Sequence, residues 1–504
     1  MLNLFQKMGI VQKDAFKTMV ISYIGIVLGY VNKGLLFIFL LSPEQIGIIN
    51  LLLTLGVLFA QISNVGTVFT TWKFLPYFKN DKNQHYGFLP LMLLFVIVGI
   101  SVCTIVAVIF RAEIQALYET KSAGFNAYYY WFLPIGIGYS IFMLLESYLR
   151  SFYKNIISAV AYELVIRLLI LTILVFFAFG WINFDVFVLL HSFAYLVPMI
   201  ILFFYLKSIG ELNLSLSTIN ISKRFRNIIL QFTSFNYLNT LGNVVVQSLD
   251  VIMIAWLVGL EGAGVYASIV FLTSALLVPY RSIVRISAPL VSDYWKHREF
   301  GKMKELYTNV SSVSLVIGLT SFSWLWMNID FLFSFIPEDK LTAFTPGIWV
   351  FFFLMMGRLL DMFFGLNGSI FSTSKKFKYD IIFTLVLIVL VYGLNLLFIP
   401  YWGIIGAAIS TGIALIVYNI ARVIFVWKIF KIHPFTKNQF IIIGLGIVTI
   451  LGWELISPLI ENKWLHTIVA TIFFLVVFIA PIFRFNLEIQ IKQYITKGLK
   501  YIGL

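Results

Sequence analysis

A small number of ionisable residues interrupt the apolar runs of this chain. A charged side chain at the centre of a membrane-spanning helix costs about 2.5–3.5 kcal/mol on insertion scales. Such residues therefore persist where they meet a partner or a water-filled cavity, and they are the groups that would hold a charged substrate or ion. The residues of this kind are Lys33, Glu146, Glu163, Arg167, Asp250, Arg358 and Asp361.

Three Arg–carboxylate combinations have helical spacing, which places both members on one face of a helix. They are Glu146 with Arg150, Glu163 with Arg167, and Arg358 with Asp361. A self-satisfied pair that ties helices together is one interpretation of each. We assign the first two combinations to that role. Arg358 and Asp361 we assign to the polar lining of a central cleft.

Lys33 and Asp250 have no partner of opposite charge at helical spacing in their own runs. Two interpretations stay open. The two residues either pair with each other and latch two halves of the molecule, or face the cleft separately. In the second case Lys33 is a docking point for an anion.

Arg281 and Arg285 lie four residues apart between Pro279 and Pro289, in the sequence VPYRSIVRISAP. Prolines inside a span free backbone groups, which is tolerated beside a cavity. Two guanidiniums on one face suit a diphosphate, because Arg binds phosphate oxygens with two parallel hydrogen bonds. The alternative is that both side chains extend to the membrane surface.

Uncharged polar residues also fall within the apolar runs and are candidates to meet sugar hydroxyls. They include Asn32, Asn243 and Gln247. The five histidines are scattered without metal-ligand spacing, and no phosphate-binding loop or catalytic triad pattern occurs. We therefore predict no enzyme activity, no metal site and no cofactor.

The composition requires a membrane protein. Hydrophobic residues make up 61% of the 504 residues and charged residues 12%, against roughly 25% charged in soluble domains. Long apolar stretches recur from end to end, so we predict an all-α polytopic protein with about fourteen spans. The net charge of +14 is then explained by cytoplasmic loops, and a nucleic-acid partner is not predicted.

An internal repeat organises the spans. Glu44 aligns with Glu261 and Gly47 with Gly264 at an offset of 217 residues, which also aligns Lys33 with Asp250. The offset covers six spans, an even number, so the copies are parallel repeats that form two six-helix bundles around a central cleft, followed by two C-terminal helices.

The predicted division has six parts. They are an interfacial amphipathic helix (1–17), a first bundle (18–206), a cytoplasmic linker (207–229), a second bundle (230–426), helices 13 and 14 (438–484), and a cytoplasmic amphipathic tail (485–504). Most of the 36 Lys and Arg residues fall on one side if spans alternate from a cytoplasmic N-terminus. Both termini are therefore predicted to be cytoplasmic.

The turns of the repeat resemble a known transporter superfamily. Five segments resemble the multidrug/oligosaccharidyl-lipid/polysaccharide exporter superfamily, in its O-antigen and exopolysaccharide flippase branch. They are LSPEQIGIINLL and its repeat equivalent LVGLEGAGVYASIVFL, SNVGTVFTTWKFLPYF, GLNGSIFSTSKKFKYD and LNLLFIPYWGIIGAAISTGIA. The resemblance implies alternating access and translocation of an undecaprenyl-diphosphate-linked oligosaccharide (an O-antigen, capsule or exopolysaccharide unit) across the bacterial cytoplasmic membrane. In related lipid II flippases, basic residues of spans 1 and 8 meet the diphosphate, which corresponds here to Lys33, Arg281 and Arg285.

The partners that follow are the lipid-linked oligosaccharide and membrane lipids. A Na⁺ or H⁺ gradient is a candidate energy source for transport, and the sequence does not specify which ion is coupled. The basic loops are candidate docking sites for glycan-assembly enzymes. Three alternatives stay open: a cation-coupled multidrug exporter of the same superfamily, a lipid II flippase, and a membrane enzyme that polymerises or ligates glycans. The exporter predicts a cleft dominated by acids, and the enzyme predicts sizeable outer loops, whereas most outer loops here are short.

Overall fold

The computed structural model of this chain describes residues 17–78, 84–212, 214, 223–376 and 378–488. Within these ranges the structure is helical, and 12 helices are long and apolar enough to cross a membrane, or up to 13 if a bent pair counts as one span. The protein is therefore an all-α, multi-pass membrane protein, as predicted. The predicted interfacial helix at 1–17 and tail at 485–504 lie almost wholly outside the described residues.

The spanning helices follow one another with short connections. They are α1 (Lys17–Leu40), α2 (Pro43–Ser63), α3 (Phe88–Ile109), α4 (Tyr129–Ser151), α5 (Ile156–Ala178), α6 (Phe184–Ser208), α7 (Lys223–Leu257), α8 (Leu260–Leu276, followed by Val278–His297), α9 (Phe300–Met327), α10 (Gly347–Phe364), α11 (Lys378–Phe430), α12 (Lys437–Ile456) and α13 (Lys463–Arg484). Shorter helices include Thr67–Phe78, Arg111–Glu119, Ala123–Asn126, Glu338–Phe344 and Asn367–Thr373.

α11 accounts for two of the predicted spans. Its 53 residues would extend about 80 Å at 1.5 Å per residue, more than twice the hydrocarbon thickness of about 30 Å. The helix is interrupted at Gly403, where φ is 55°, a left-handed conformation that glycine adopts without a steric penalty. Gly403 therefore divides α11 into two helical parts.

α8 is broken in a different way. Its two parts are bent by 53° at a break between Ser274 and Val278. Pro279 lies at the start of the second part, where a missing backbone N–H is tolerated. Arg281 and Arg285 lie on this second part, which continues to His297.

The turn between α1 and α2 is determined by its sequence. The Ser42 hydroxyl accepts a hydrogen bond from the Gln45 backbone N–H (3.2 Å), and the Gln45 side chain accepts one from the Ser42 N–H (2.9 Å). Pro43 follows at the first helical position. This reciprocal cap satisfies two backbone donors that would otherwise be unpaired, and it ends α1 and starts α2 within three residues.

The chain divides into two compact units, with the boundary between Ser268 and Ile269. The division places α7 and the first turns of α8 with the N-terminal spans. In the first unit, the core cluster includes Phe74, Phe88, Leu144 and Leu202. In the second, a separate cluster includes Val291, Tyr307 and Phe371.

The two turns related by the internal repeat meet within the first unit. A β-carbon built on Gly47 would overlap the carbonyl oxygen of Leu260, and one built on Gly264 would overlap the carbonyl oxygen of Pro43. Pro43 and Leu260 are themselves related by the offset of 217 residues. The start of α2 and the start of α8 therefore pack against each other in a reciprocal way, with a glycine of each helix on the backbone of the other. We call this contact the glycine clasp.

Candidate functional site

Two membrane-spanning helices of the first unit carry π-helical segments. The segment in α1 is Tyr30–Leu36, and the segment in α5 is Val160–Val165. Such segments are rare and occur frequently at functional sites, because the widened turn redirects side chains. The first contains Lys33 and the second contains Glu163, so the unusual backbone coincides with the predicted charged residues.

Small residues let α1 approach the charged face of α5. A β-carbon at Gly25 would lie 2.8 Å from both the Glu163 carbonyl oxygen and its Oε2 atom, and one at Gly29 would lie 3.0 Å from Arg167 Nη1. Gly25, Gly29 and Lys33 recur every four residues and so share a face of α1. We call the contact of this face with Glu163 and Arg167 the α1–α5 seam.

Glu163 and Arg167 form an ion pair in this seam, as their spacing predicts. The distance from Arg167 Nη2 to Glu163 Oε2 is 2.5 Å, and about a quarter of each side chain is exposed. Apart from this ionic contact, the buried Glu163 Oε2 atom has no hydrogen-bond partner among the described residues. The Arg167 guanidinium therefore keeps donors that no described residue occupies.

Asn32 connects α1 to the same place on α5. Its Nδ2 atom donates a hydrogen bond to the Arg167 carbonyl oxygen at 2.8 Å. Its Oδ1 atom is buried without a hydrogen-bond partner. This hydrogen bond therefore sets the axial position of α1 relative to α5, and the Oδ1 atom of Asn32 remains as a hydrogen-bond acceptor inside the seam.

Lys33 follows the glycines on the same face of α1. It forms no hydrogen bond or ion pair with any residue that the structure describes, and it is partly exposed. Arg167 and His191 lie within its electrostatic range. With Glu163 compensating Arg167, the ammonium of Lys33 is the uncompensated charge of the seam, which gives the seam a net charge of +1.

His191 of α6 is a residue that sequence reasoning did not single out. It is buried, its Nε2 atom has no hydrogen-bond partner, and its ring stacks on Phe187 with ring centroids 6.0 Å apart. Phe37, one turn after Lys33, lies against the same ring at 6.5 Å. A lone histidine in an apolar run gives no local signal, so only the tertiary structure places it beside Lys33.

Asp250 of α7 is not paired with Lys33. It is buried, and its Oδ2 atom accepts a hydrogen bond from the Tyr266 hydroxyl at 2.5 Å. The structure therefore contains no ion pair between Lys33 and Asp250, and the interpretation that each faces the cleft separately stays a prediction. Asn243 and Gln247, also on α7, have exposed side chains, and Asn243 donates to the Asn239 carbonyl oxygen at 2.8 Å.

Glu146 and Arg150 form the other predicted ion pair of the first unit. The contact joins Arg150 Nη2 and Glu146 Oε1, and half of the Arg150 side chain is exposed. A pair so open to its surroundings is screened and contributes little to stability.

In the second unit, Arg358 and Asp361 do not form an ion pair with each other, in contrast to the pairing that their spacing allowed. Arg358 Nη1 donates to the Ser274 hydroxyl at 3.2 Å. Asp361 lies beside Asn419 and within electrostatic range of Arg422 and Arg281. Spacing of three residues permits a pair, but both side chains reach neighbouring helices instead.

Arg281 and Arg285 are both exposed, and neither has a hydrogen bond or ion pair with a described residue. Their guanidiniums are therefore available to a ligand, which suits a docking role and equally suits extension to the membrane surface. Both interpretations given by the sequence stand.

The strongest ionic contact of the second unit was missed. Arg422 Nη2 lies 2.7 Å from Asp380 Oδ1, with about a tenth of each side chain exposed. Arg422 also donates to the Tyr418 hydroxyl at 2.8 Å and stacks over that ring. The two partners are 42 residues apart in sequence, so no helical spacing could reveal them. Among the described residues, no group of His, Cys, Asp or Glu is arranged to hold a metal ion.

The fold is that of known transporters. The chain is similar to the lipid II flippase MurJ in its inward closed conformation, with a TM-score of 0.71 at 14% identity over 93% of this chain and 99% of that one. It is similar to an inward-facing multidrug resistance MATE family transporter of the MOP superfamily, with a TM-score of 0.65 at 14% identity over 83% and 98% of the two chains. A third similar structure is a MOP superfamily transporter from Pyrococcus furiosus whose binding pocket is described as having reverse polarity (TM-score 0.57, 14% identity, 84% and 96% covered).

Similarity of sequence is weaker. An uncharacterised membrane protein of Methanocaldococcus jannaschii, MJ1068, is 25% identical over 273 residues, or 51% of each chain. The chain thus spans about half the length of this curated relative. No protein-family profile matches the chain. The comparisons show that the chain shares the fold of these solved transporters.

Proposed function

We propose that this protein is a flippase that moves an undecaprenyl-diphosphate-linked oligosaccharide across the bacterial cytoplasmic membrane. The observation that carries this proposal is Lys33, a cation of α1 that pairs with no described residue and faces an α5 whose Glu163 and Arg167 compensate each other. A lone charge within a membrane-spanning helix indicates a functional site. Because that charge is positive, the ligand it favours is an anion, and a lipid-linked diphosphate is an anion that resides in the membrane.

Other features agree with this ligand. Arg281 and Arg285 offer a second cationic position on α8, and Asn32, Asn243 and Gln247 offer polar groups to sugars. The fold similarity to a lipid II flippase covers nearly the whole chain. The candidates for coupling to Na⁺ or H⁺ are Asp361 and Asp250, and the latter accepts a hydrogen bond from Tyr266.

The proposal is tested by flipping of a fluorescent polyprenyl-diphosphate oligosaccharide in proteoliposomes. We expect Lys33→Ala to slow flipping about tenfold or more, because a charge-assisted contact contributes about 1.5–3 kcal/mol. Arg281→Ala with Arg285→Ala tests the second position. Lys302→Ala is the matched control, because Lys302 is exposed and pairs only with Glu299, at 2.9 Å.

The outcomes separate function from site. If the wild type flips the lipid and Lys33→Ala does so equally well, the function stands and the Lys33 assignment is wrong. If the wild type expels cationic dyes down an imposed Na⁺ or H⁺ gradient and flips no lipid, the multidrug exporter replaces the flippase. If only the lipid II pentapeptide precursor is flipped, the protein is a lipid II flippase.

A further inference from the structure

The α1–α5 seam contains a second cation that the Lys33 assignment does not use. The Arg167 side chain lies against Gly29, one helical turn before Lys33 on α1. The Arg167 carbonyl oxygen accepts a hydrogen bond from the Asn32 side chain. The Arg167 Nη2 atom lies 2.5 Å from Glu163 Oε2, and no hydrogen bond joins the Arg167 guanidinium to any other described residue. A planar guanidinium with unused donors is suited to a phosphate oxygen pair.

We propose that Arg167 is a second ligand of the same anion as Lys33, and that Glu163 sets how tightly the site holds it. This inference rests on the proposed function. Glu163 lowers the charge of the seam from +2 to +1 and competes with the anion for Arg167. An anion is thereby attracted but not trapped, which a transporter requires, because tight retention would slow release on the other side of the membrane.

A purely structural role for Glu163 predicts the opposite result. If the carboxylate only ties α5 to α1, its removal leaves Arg167 uncompensated, loosens the seam and weakens or leaves unchanged the binding of an anion. If it restrains Arg167, its removal strengthens binding. The sign of the effect therefore distinguishes the two roles.

The experiment measures the equilibrium binding of a polyprenyl-diphosphate oligosaccharide to the full chain in nanodiscs, together with flipping in proteoliposomes. We expect Glu163→Gln to bind about tenfold more tightly and to flip several-fold more slowly. Arg167→Lys, which keeps the charge and loses the planar fork, binds about tenfold more weakly. Glu163→Asp keeps the charge and stays within about threefold of the wild type. The matched control is Glu299→Gln, which removes the same charge from an exposed pair and leaves binding within about twofold.

The inference is overturned if Glu163→Gln binds as the control does or more weakly while its thermal unfolding is unchanged. If Glu163→Gln fails to fold, the decision falls to Arg167→Lys, and wild-type affinity of that variant overturns the inference. If the wild type itself does not bind the lipid diphosphate, the proposed function fails with it. If Lys33→Ala weakens binding while the Glu163 and Arg167 variants behave as the wild type, only this inference fails.

Discussion

Among the described residues, one arginine–carboxylate pair in each unit lies in the interior, and the two pairs are built differently. Asp380 and Arg422 join residues distant in sequence, are about nine-tenths buried, and add a hydrogen bond and ring stacking to the ionic contact. Glu163 and Arg167 lie four residues apart on one helix, are about a quarter exposed, and have no ring stacked on them to add to the ionic contact among the described residues. The same two chemical groups thus serve as a fixed crosslink in one unit and as an adjustable pair in the other.

The largest expected effect belongs to the buried pair. Arg422→Met leaves Asp380 buried beside an apolar chain, and removal of one partner of a buried ion pair costs about 3–5 kcal/mol. Thermal unfolding in detergent should therefore show a large loss of stability. Asp380→Leu combined with Arg422→Met should recover most of it. Equal stability of Arg422→Met and the wild type would contradict the description of this pair as a crosslink.

A smaller effect is expected from substitution of Gly25, which lies against Glu163 in the first unit. Gly25→Ala places a methyl group against the Glu163 carbonyl, and overpacking of this kind costs about 1–3 kcal/mol. Alanine also stabilises a helix by about 1 kcal/mol relative to glycine. The variant must therefore be compared with Gly393→Ala, which gains this helix stabilisation without the overpacking. The difference in unfolding free energy between the two variants isolates the contact.

The smallest effect is expected from Arg167→Met. Its pair is partly solvated and local, so its loss should cost about 1 kcal/mol, near the upper limit for exposed pairs. The comparison predicts that this variant folds nearly as well as the wild type but loses affinity for a lipid diphosphate. Destabilisation as large as that of Arg422→Met would show that the two pairs have the same role.

The sequence predicted the local features of this molecule well. The all-helical, multi-pass architecture and the ion pairs at spacing four follow from periodicity and from contacts within one helix. The sequence predicted about fourteen spans, and the described residues contain 12 helices, or up to 13, that could cross a membrane. Contacts between helices did not follow. Arg358 donates to Ser274 and not to Asp361, and Asp250 accepts from Tyr266 and not from Lys33. Asp380 meets Arg422 across the break of α11 at Gly403. Such choices depend on which faces meet, which a single sequence does not specify.

The internal repeat was the exception, because it carried long-range information. It aligned Gly47 with Gly264 before any contact was known, and the two residues then proved to pack on each other's helices. The repeat could not assign a partner to Lys33, since an equivalent position in a second copy need not be a contact.

The π segment of α1 has a consequence for the length of the chain. Its hydrogen bonds reach five residues back, so it holds one residue more than the same stretch of α-helix would, and each α-helical residue turns the backbone by about 100°. A chain that lacked one residue between Tyr30 and Leu36 would keep Gly25 and Gly29 on α5 but would rotate everything that follows, including Phe37, by about a quarter of a turn. Relatives with and without this insertion should therefore orient the end of their first span differently, even where every charged residue is the same.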